Sequence, residues 1–147
     1  MPASYAIDTD LYIDASHHRA ARTTLARFTV RAAFRLYLSA VVSMELRAGA
    51  RTDEQRDGVD ALHAAFAERD RLLVPSANAY AQAGRVLADL AEHEGFALAF
   101  APRSFTNDVL IAASCRERDV VLVTANHRDF TAIARHLRGF RFVPAWP

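Results

Sequence analysis

The segment VVLVTANHRDF, residues 120–130, decides the fold class of this chain. Its first four residues form an unbroken run of β-formers, which predicts the clearest strand in the sequence. Polar residues follow at Thr124 and Asn126, and a helical pattern then runs from about Asp129 to Leu137. A strand followed directly by a helix is the repeating unit of sheets whose strands run parallel.

The same alternation continues along the rest of the chain. Ser39, Ser76 and Thr106 are predicted to cap the starts of helices, and Gly49 and Gly95 to end two of them. The predicted strands cover residues 5–7, 34–38, 72–74, 120–123 and 140–143. The predicted helices cover residues 11–34, 40–48, 53–69, 77–94, 107–118 and 129–137, and the segment 96–103 is ambiguous.

This order of elements predicts an α/β fold, a three-layer α/β/α sandwich around a mostly parallel central sheet. With 147 residues, 52% of them apolar, a single domain over residues 1–147 accounts for the whole chain. No apolar stretch is long enough to span a bilayer, and Asp8 stands where a signal peptide needs an apolar core. Because the single Cys115 cannot form an internal disulfide, we expect a buried thiol in a cytoplasmic protein.

The basic residues are 18 arginines, without a single lysine. The absence of lysine excludes Schiff-base chemistry and a P-loop. The net charge is only +1, but residues 15–51 contain seven arginines and one acid, Glu45. This local excess of positive charge suits a polyanion or an acidic partner, although a solvated arginine-rich helix face explains it equally well.

Acidic or amide side chains follow the strands of the predicted central layer. Because open α/β sheets bind ligands beyond the carboxyl ends of their strands, these side chains are candidates for one shared site. They are Asp8 after the first strand, Glu45 in the helix after the second, Asp108 in the first turn of the apolar helix, and Asn126 and Asp129 after the strand 120–123.

Asp108 is the most informative of these residues, because it is the only charged one between Asn107 and Cys115. A helix this apolar is expected to be buried nearly all round. A carboxylate at its start either caps the helix, favoured by the helix dipole, or faces a site that opens there.

Several carboxylates at one site repel each other unless a cation lies between them. Hard oxygen ligands favour Mg²⁺ or Mn²⁺, and no spacing of His and Cys residues supports a zinc site. His93 and His136, for example, are isolated on predicted helices. We therefore expect a carboxylate-bound divalent cation.

Four segments of the chain resemble the motifs of PIN domains, and they occur in the family's order. AIDTDLYI at residues 6–13 is similar to the opening hydrophobic-Asp-Thr-(Asn/Ser)-hydrophobic motif. The others are SAVVSMELRAG at residues 39–49, NDVLIAA at residues 107–113 and LVTANHRDF at residues 122–130. One such motif is weak evidence, whereas four in order are specific, and VapC-type toxins are the most similar group.

The resemblance implies a PIN-like fold and a Mg²⁺- or Mn²⁺-dependent endonuclease that cleaves RNA, acting as the toxin of a bacterial toxin–antitoxin pair. It also implies a homodimer that a cognate antitoxin neutralises. Arg47 and Arg103 are further candidates for holding phosphates of the RNA. The site residues that the resemblance implies are the metal carboxylates Asp8, Glu45 and Asp108, with Asn126 or Asp129 completing the site and Thr124 supporting it by hydrogen bonding.

Two positions depart from the family pattern, since Asp10 replaces the usual Asn or Ser and Asn126 replaces an acid. An inactive PIN-like module that binds RNA or a protein is one alternative function. A haloacid-dehalogenase-like phosphatase is another, because it shares an opening Asp-x-Asp. That family, however, has a small β-branched residue where Tyr12 stands. It also commonly uses a phosphate-binding lysine and has a late acidic motif, and this chain lacks both.

Overall fold

The computed structural model describes residues 2–95 and 102–147. Within these ranges, strands alternate with helices along the chain, and a short 3-10 turn precedes the second strand. The elements are β1 (Ser4–Ile7), α1 (Thr9–His17), α2 (Arg19–Arg31), β2 (Leu36–Ser39), α3 (Ala40–Gly49), α4 (Asp53–Ala67), β3 (Leu72–Leu73), α5 (Ala77–His93), α6 (Arg103–Glu117), β4 (Val120–Thr124), α7 (His127–Arg135) and β5 (Phe142–Pro144).

The five strands form one parallel sheet in the order β3-β2-β1-β4-β5. The chain moves outward from β1 to β3 and then returns to the other side of β1, so the strand order reverses between β1 and β4. Because crossovers between parallel strands are right-handed, the helices of the two halves cover opposite faces of the sheet. The predicted three-layer α/β/α fold is confirmed.

The interior of the domain is built around β4 and α6. All five residues of β4 are buried, as are eight of the fifteen residues of α6. The apolar sequence after Asp108 predicts this burial correctly. Cys115 lies on the same helix and is fully buried, and this burial raises the pKa of its thiol. α6 packs against α5, α7 and β4.

The predicted single helix over residues 11–34 is wrong. α1 ends at His17, His18 is extended, and α2 begins at Arg19 and folds back against α1. The break lets Leu11 of α1 and Phe28 of α2 both join the core. No Gly or Pro marks the break, so local sequence gives no signal of it.

Phe34 also differs from its prediction, because it lies in the 3-10 turn and is 86% exposed instead of opening β2. The ends of other elements shift by a few residues. The helix predicted over 53–69 ends at Ala67, the strand predicted over 72–74 ends at Leu73, and the strand predicted over 140–143 begins at Phe142.

Helix starts are predicted correctly where a serine precedes them. The Ser39 hydroxyl accepts the N–H groups of Val41 and Val42, and Ser76 caps α5 in the same way. Thr106, however, is not an N-cap. α6 begins earlier, at Arg103 after Pro102, whose fixed φ suits the entry to a helix. The prediction that Asp108 lies in the first turn is therefore wrong, because Asp108 is in the second turn and does not cap α6.

The ambiguous segment 96–103 lies largely outside the described residues. Within the described residues, no helix is both long enough and apolar enough to cross a membrane.

Candidate active site

The acidic residues predicted from the sequence meet at the carboxyl ends of β1 and β4, where the strand order reverses. Such a reversal is where open α/β sheets form ligand clefts. A cleft of about 240 Å³ opens there. It is lined by Asp8, Thr9, Asp10, Ile13, Glu45, Ser104, Asp108, Asn126 and Asp129.

Asp8 lies at the bottom of this cleft and is only 4% exposed. One carboxylate oxygen, Oδ2, accepts a hydrogen bond from the Thr124 hydroxyl at 2.7 Å. The other, Oδ1, accepts the backbone N–H of Thr9 at 2.9 Å. Both oxygens therefore accept hydrogen bonds, and the donor to Oδ2 is Thr124, the residue whose supporting role the PIN resemblance implies.

Glu45 reaches the cleft from α3 and is held by two residues that sequence reasoning missed. The Thr9 hydroxyl donates to Glu45 Oε1 at 2.7 Å, and the Asn107 amide donates to Oε2 at 3.4 Å. Thr9 and Asn107 each stand next to a predicted acid in the sequence. That adjacency is the one signal that could have found them.

Asn126 and Asp129 enter the cleft together from the start of α7. Since α7 begins at His127, Asn126 is its N-cap, and Asp129 is not. The Asn126 Oδ1 atom accepts the N–H of Asp129 at 3.3 Å, while its Nδ2 atom donates to Asp129 Oδ2 at 3.0 Å. The amide oxygen is thus used in capping, and the carboxylate of Asp129 is the stronger candidate for binding a cation.

Asp108 has the strongest electrostatic perturbation in the cleft. Burial, reinforced by the negative charges of Asp8, Glu45, Asp129 and Asp10, raises the pKa of Asp108 to about 8. Burial also raises the pKa of Asp8 to about 6, helped by Asp10 and Glu45 and opposed by the hydrogen bonds from Thr124 and Thr9. The carboxylates of the cleft therefore repel each other, as expected of a site that needs positive charge.

Comparison with known proteins assigns the chain to a family. The PIN domain family model matches residues 5–136. The chain belongs to the PIN domain family. No curated protein sequence matches it.

Solved structures share the PIN fold of this chain over nearly its full length. The DNA-bound VapBC of Salmonella typhimurium is 24% identical, with a TM-score of 0.66, over 97% of this chain and 98% of that one. The VapBC2 of Rickettsia felis, bound to a promoter DNA fragment, is 20% identical, with a TM-score of 0.63 and the same coverage. A toxin–antitoxin complex from Klebsiella pneumoniae is 21% identical, with a TM-score of 0.59, over 95% of this chain and 96% of that one.

Two predicted RNA-binding arginines lie outside the cleft of this PIN domain. Arg47 pairs with Asp60 of α4 at 2.7 Å. Arg103 is the exposed first residue of α6 and does not line the cleft either. Contact between these two arginines and RNA stays a prediction.

A second acidic group lies on the surface of α5 in this PIN domain. The ligand atoms of Asp89, Glu92 and His93 lie within 4.8 Å of one another, and the His93 ring stacks on His136, so these histidines are not isolated in space. In residues 2–95 and 102–147 no other group is this close. The cleft carboxylates stand further apart, and a shared cation would have to draw them together.

Proposed function

We propose that this PIN domain is a metal-dependent endoribonuclease, the toxin of a toxin–antitoxin pair, which hydrolyses RNA phosphodiester bonds with Mg²⁺ or Mn²⁺. The observation that carries the proposal is the convergence of Asp8, Glu45, Asp108 and Asp129 in one cleft of a PIN fold. An inactive binding module has no need to gather four mutually repelling acids at one place.

The chemistry of the cleft fits a hard divalent cation. Its polar lining, within the described residues, offers carboxylate, hydroxyl and amide groups and includes no His, Cys or Arg. Oxygen ligands of this kind suit Mg²⁺ and Mn²⁺ rather than zinc. Burial and the neighbouring negative charges, which raise the pKa values of Asp8 and Asp108, also favour the binding of a positive ion in the cleft.

Each acid of the cleft has a proposed role that follows from its surroundings. Asp8, Glu45 and Asp108 would hold the cation, with Asp129 as the fourth acid, and the hydrogen bond from Thr124 would fix the orientation of Asp8. A bound Mg²⁺ or Mn²⁺ supplies the positive charge that acidifies water and stabilises charge on the scissile phosphate. An acid beside the attacking water would accept its proton as the new bond to phosphorus forms and the bond to the 3′ oxygen breaks in line. The leaving 3′ oxygen would take a proton from solvent, which gives a 5′-phosphate and a 3′-hydroxyl.

The proposed activity is tested by incubating purified protein with RNA and with DNA of the same sequence. We expect cleavage of RNA in Mn²⁺ or Mg²⁺, none in EDTA, and 5′-phosphate ends on the products. If no RNA is cut in either metal, the inactive binding module becomes the better function. The phosphatase alternative has lost its support, because the chain belongs to the PIN family.

We also propose that the partner is an antitoxin with an apolar docking segment. Beside the cleft lies a groove of about 380 Å³ between α1, α3 and α4, whose apolar lining includes Tyr12, Leu46 and Leu62. Cleft and groove share Ile13 and Glu45, so a segment in the groove would reach the acids. The similar Klebsiella pneumoniae structure is a toxin–antitoxin complex, which favours an antitoxin as the occupant.

A substitution that fills the groove should weaken inhibition by the antitoxin without changing ribonuclease activity. Gly58 lines the groove, and a Cβ atom added there meets no atom within 4 Å, so the backbone has room for the side chain of Gly58→Leu. Because leucine has a higher helix propensity than glycine, the variant should be as stable as the wild-type protein or more stable. We expect ribonuclease activity to persist while the protein encoded by the adjacent gene loses at least tenfold in inhibitory potency.

The matched control for this test is Gly84→Leu in α5, which has the same free space but lies outside the groove. Equal neutralisation of the two variants would contradict docking in the groove.

We further propose a homodimer in the cytoplasm. Light scattering that shows only monomers at micromolar concentration would refute the dimer.

A further inference from the structure

Asp10 is the acid of the cleft that the proposed function has not used. It lies in the first turn of α1, two residues after Asp8, and lines the same cleft. The PIN resemblance places an uncharged Asn or Ser at this position. Its charge is therefore a departure of this chain from the usual family pattern.

The carboxylate of Asp10 differs from its neighbours in how its oxygens are satisfied. Asp8 and Glu45 accept hydrogen bonds at both oxygens, and Asp129 accepts one from Asn126. Backbone N–H groups of Leu11 and Ala125 favour the charged form of the Asp10 carboxyl group. Its Oδ1 atom, in contrast, is buried and has no hydrogen-bond partner among residues 2–95 and 102–147. A buried charged oxygen without a partner is costly, so this oxygen requires an explanation.

A role in α1 alone does not provide that explanation. An acid in the first turn of a helix interacts favourably with the helix dipole, which accounts for a charge at position 10. The dipole interaction works as well for a solvated carboxylate, so it gives no reason to bury an oxygen. The described lining of the cleft contains no arginine that could pair with Asp10, and the chain has no lysine.

A positive group from outside the chain would satisfy this oxygen. We infer that Oδ1 of Asp10 is a fifth carboxylate ligand of the divalent cation in the cleft. This inference rests on the proposed function and adds one residue to its site. A fifth acid increases the negative charge around the cation, and the number of charged ligands is a main determinant of cation affinity.

Mn²⁺ binding to the purified protein tests this role without any measurement of activity. Free Mn²⁺ is followed by electron paramagnetic resonance for wild type, Asp10→Asn and Asp10→Ser. We expect both variants to weaken Mn²⁺ binding by about tenfold or more. Metal-free Asp10→Asn should melt at the same or a higher temperature, because one repelling charge is removed.

The matched control is Asp14→Asn, which removes an exposed acid from the same helix and should leave Mn²⁺ affinity unchanged. Affinities of both Asp10 variants within twofold of wild type would overturn the role of Asp10 and leave the other four acids as the site. Failure of wild type itself to bind Mn²⁺ would instead contradict the proposed function.

Discussion

Asp108→Asn is expected to abolish RNA cleavage while the metal-free protein becomes as stable as wild type or more stable. The variant keeps the shape of the side chain but removes one negative charge from the cation site. Metal ions contribute several kcal/mol to catalysis of this kind, which corresponds to a loss of about a thousandfold in rate. Cleavage of RNA in Mn²⁺ and thermal melting in EDTA measure the two effects.

The stability gain has a definite pH dependence. Asp108 has a folded-state pKa of about 8 against an ordinary value of 3.8, so the native state holds this proton where the unfolded chain has released it. Wild type without metal therefore loses stability as pH rises from about 4 to 8. Asp108→Asn should remove the contribution of Asp108 over this whole range, and the difference from wild type is clearest above pH 6, because Asp8 has a pKa of about 6 and no longer contributes there.

The control for Asp108→Asn is Asp57→Asn, which removes an exposed acid of α4. It should cleave RNA at the wild-type rate and follow the wild-type dependence of melting temperature on pH. Substantial cleavage by Asp108→Asn would contradict the proposed mechanism. A destabilised Asp108→Asn would instead assign the carboxyl group a structural role, other than capping, within α6.

Asp129→Ala is expected to reduce RNA cleavage by about ten- to a hundredfold, and more than Asn126→Ala does. The carboxylate of Asp129 supplies charge to the site, whereas the amide oxygen of Asn126 already accepts the N–H of Asp129. Higher Mn²⁺ concentrations should restore part of the activity of Asp129→Ala. The measurement is turnover per folded molecule across a Mn²⁺ titration.

The stability of these two variants should follow the opposite order. Asn126 is the N-cap of α7, so Asn126→Ala should cost about 1 kcal/mol of unfolding free energy. Denaturant unfolding of both proteins measures this cost. Unchanged turnover in Asp129→Ala would remove Asp129 from the site, whatever its stability.

The elements predicted correctly from sequence are those whose signals are local. The β-forming run of β4 and the apolar run of α6 each specify a buried element, because burial of these side chains is favourable in any packed arrangement. The meeting of polar side chains at the ends of β1 and β4 is explained by the parallel topology. Parallel pairing aligns Ile7 with Val123, so the residues that follow them, Asp8 and Thr124, lie side by side.

The features missed from sequence depend on contacts between distant residues. Thr9 and Glu45 are 36 residues apart in the chain, and the position of Thr9 beside Asp8 does not indicate which distant acid its hydroxyl contacts. The break at His18 between α1 and α2 likewise arises from packing, since both helices bury residues in one core. Local propensity cannot report either feature, because tertiary contacts determine both.

The central claim is that the cleft acids hold a divalent cation, and anomalous diffraction from crystals soaked in Mn²⁺ tests it most directly. We predict an anomalous peak in the cleft, within bonding distance of Asp8 and Asp108. A cleft without a peak at millimolar Mn²⁺, or a peak only beside Asp89, Glu92 and His93 on α5, would contradict the claim.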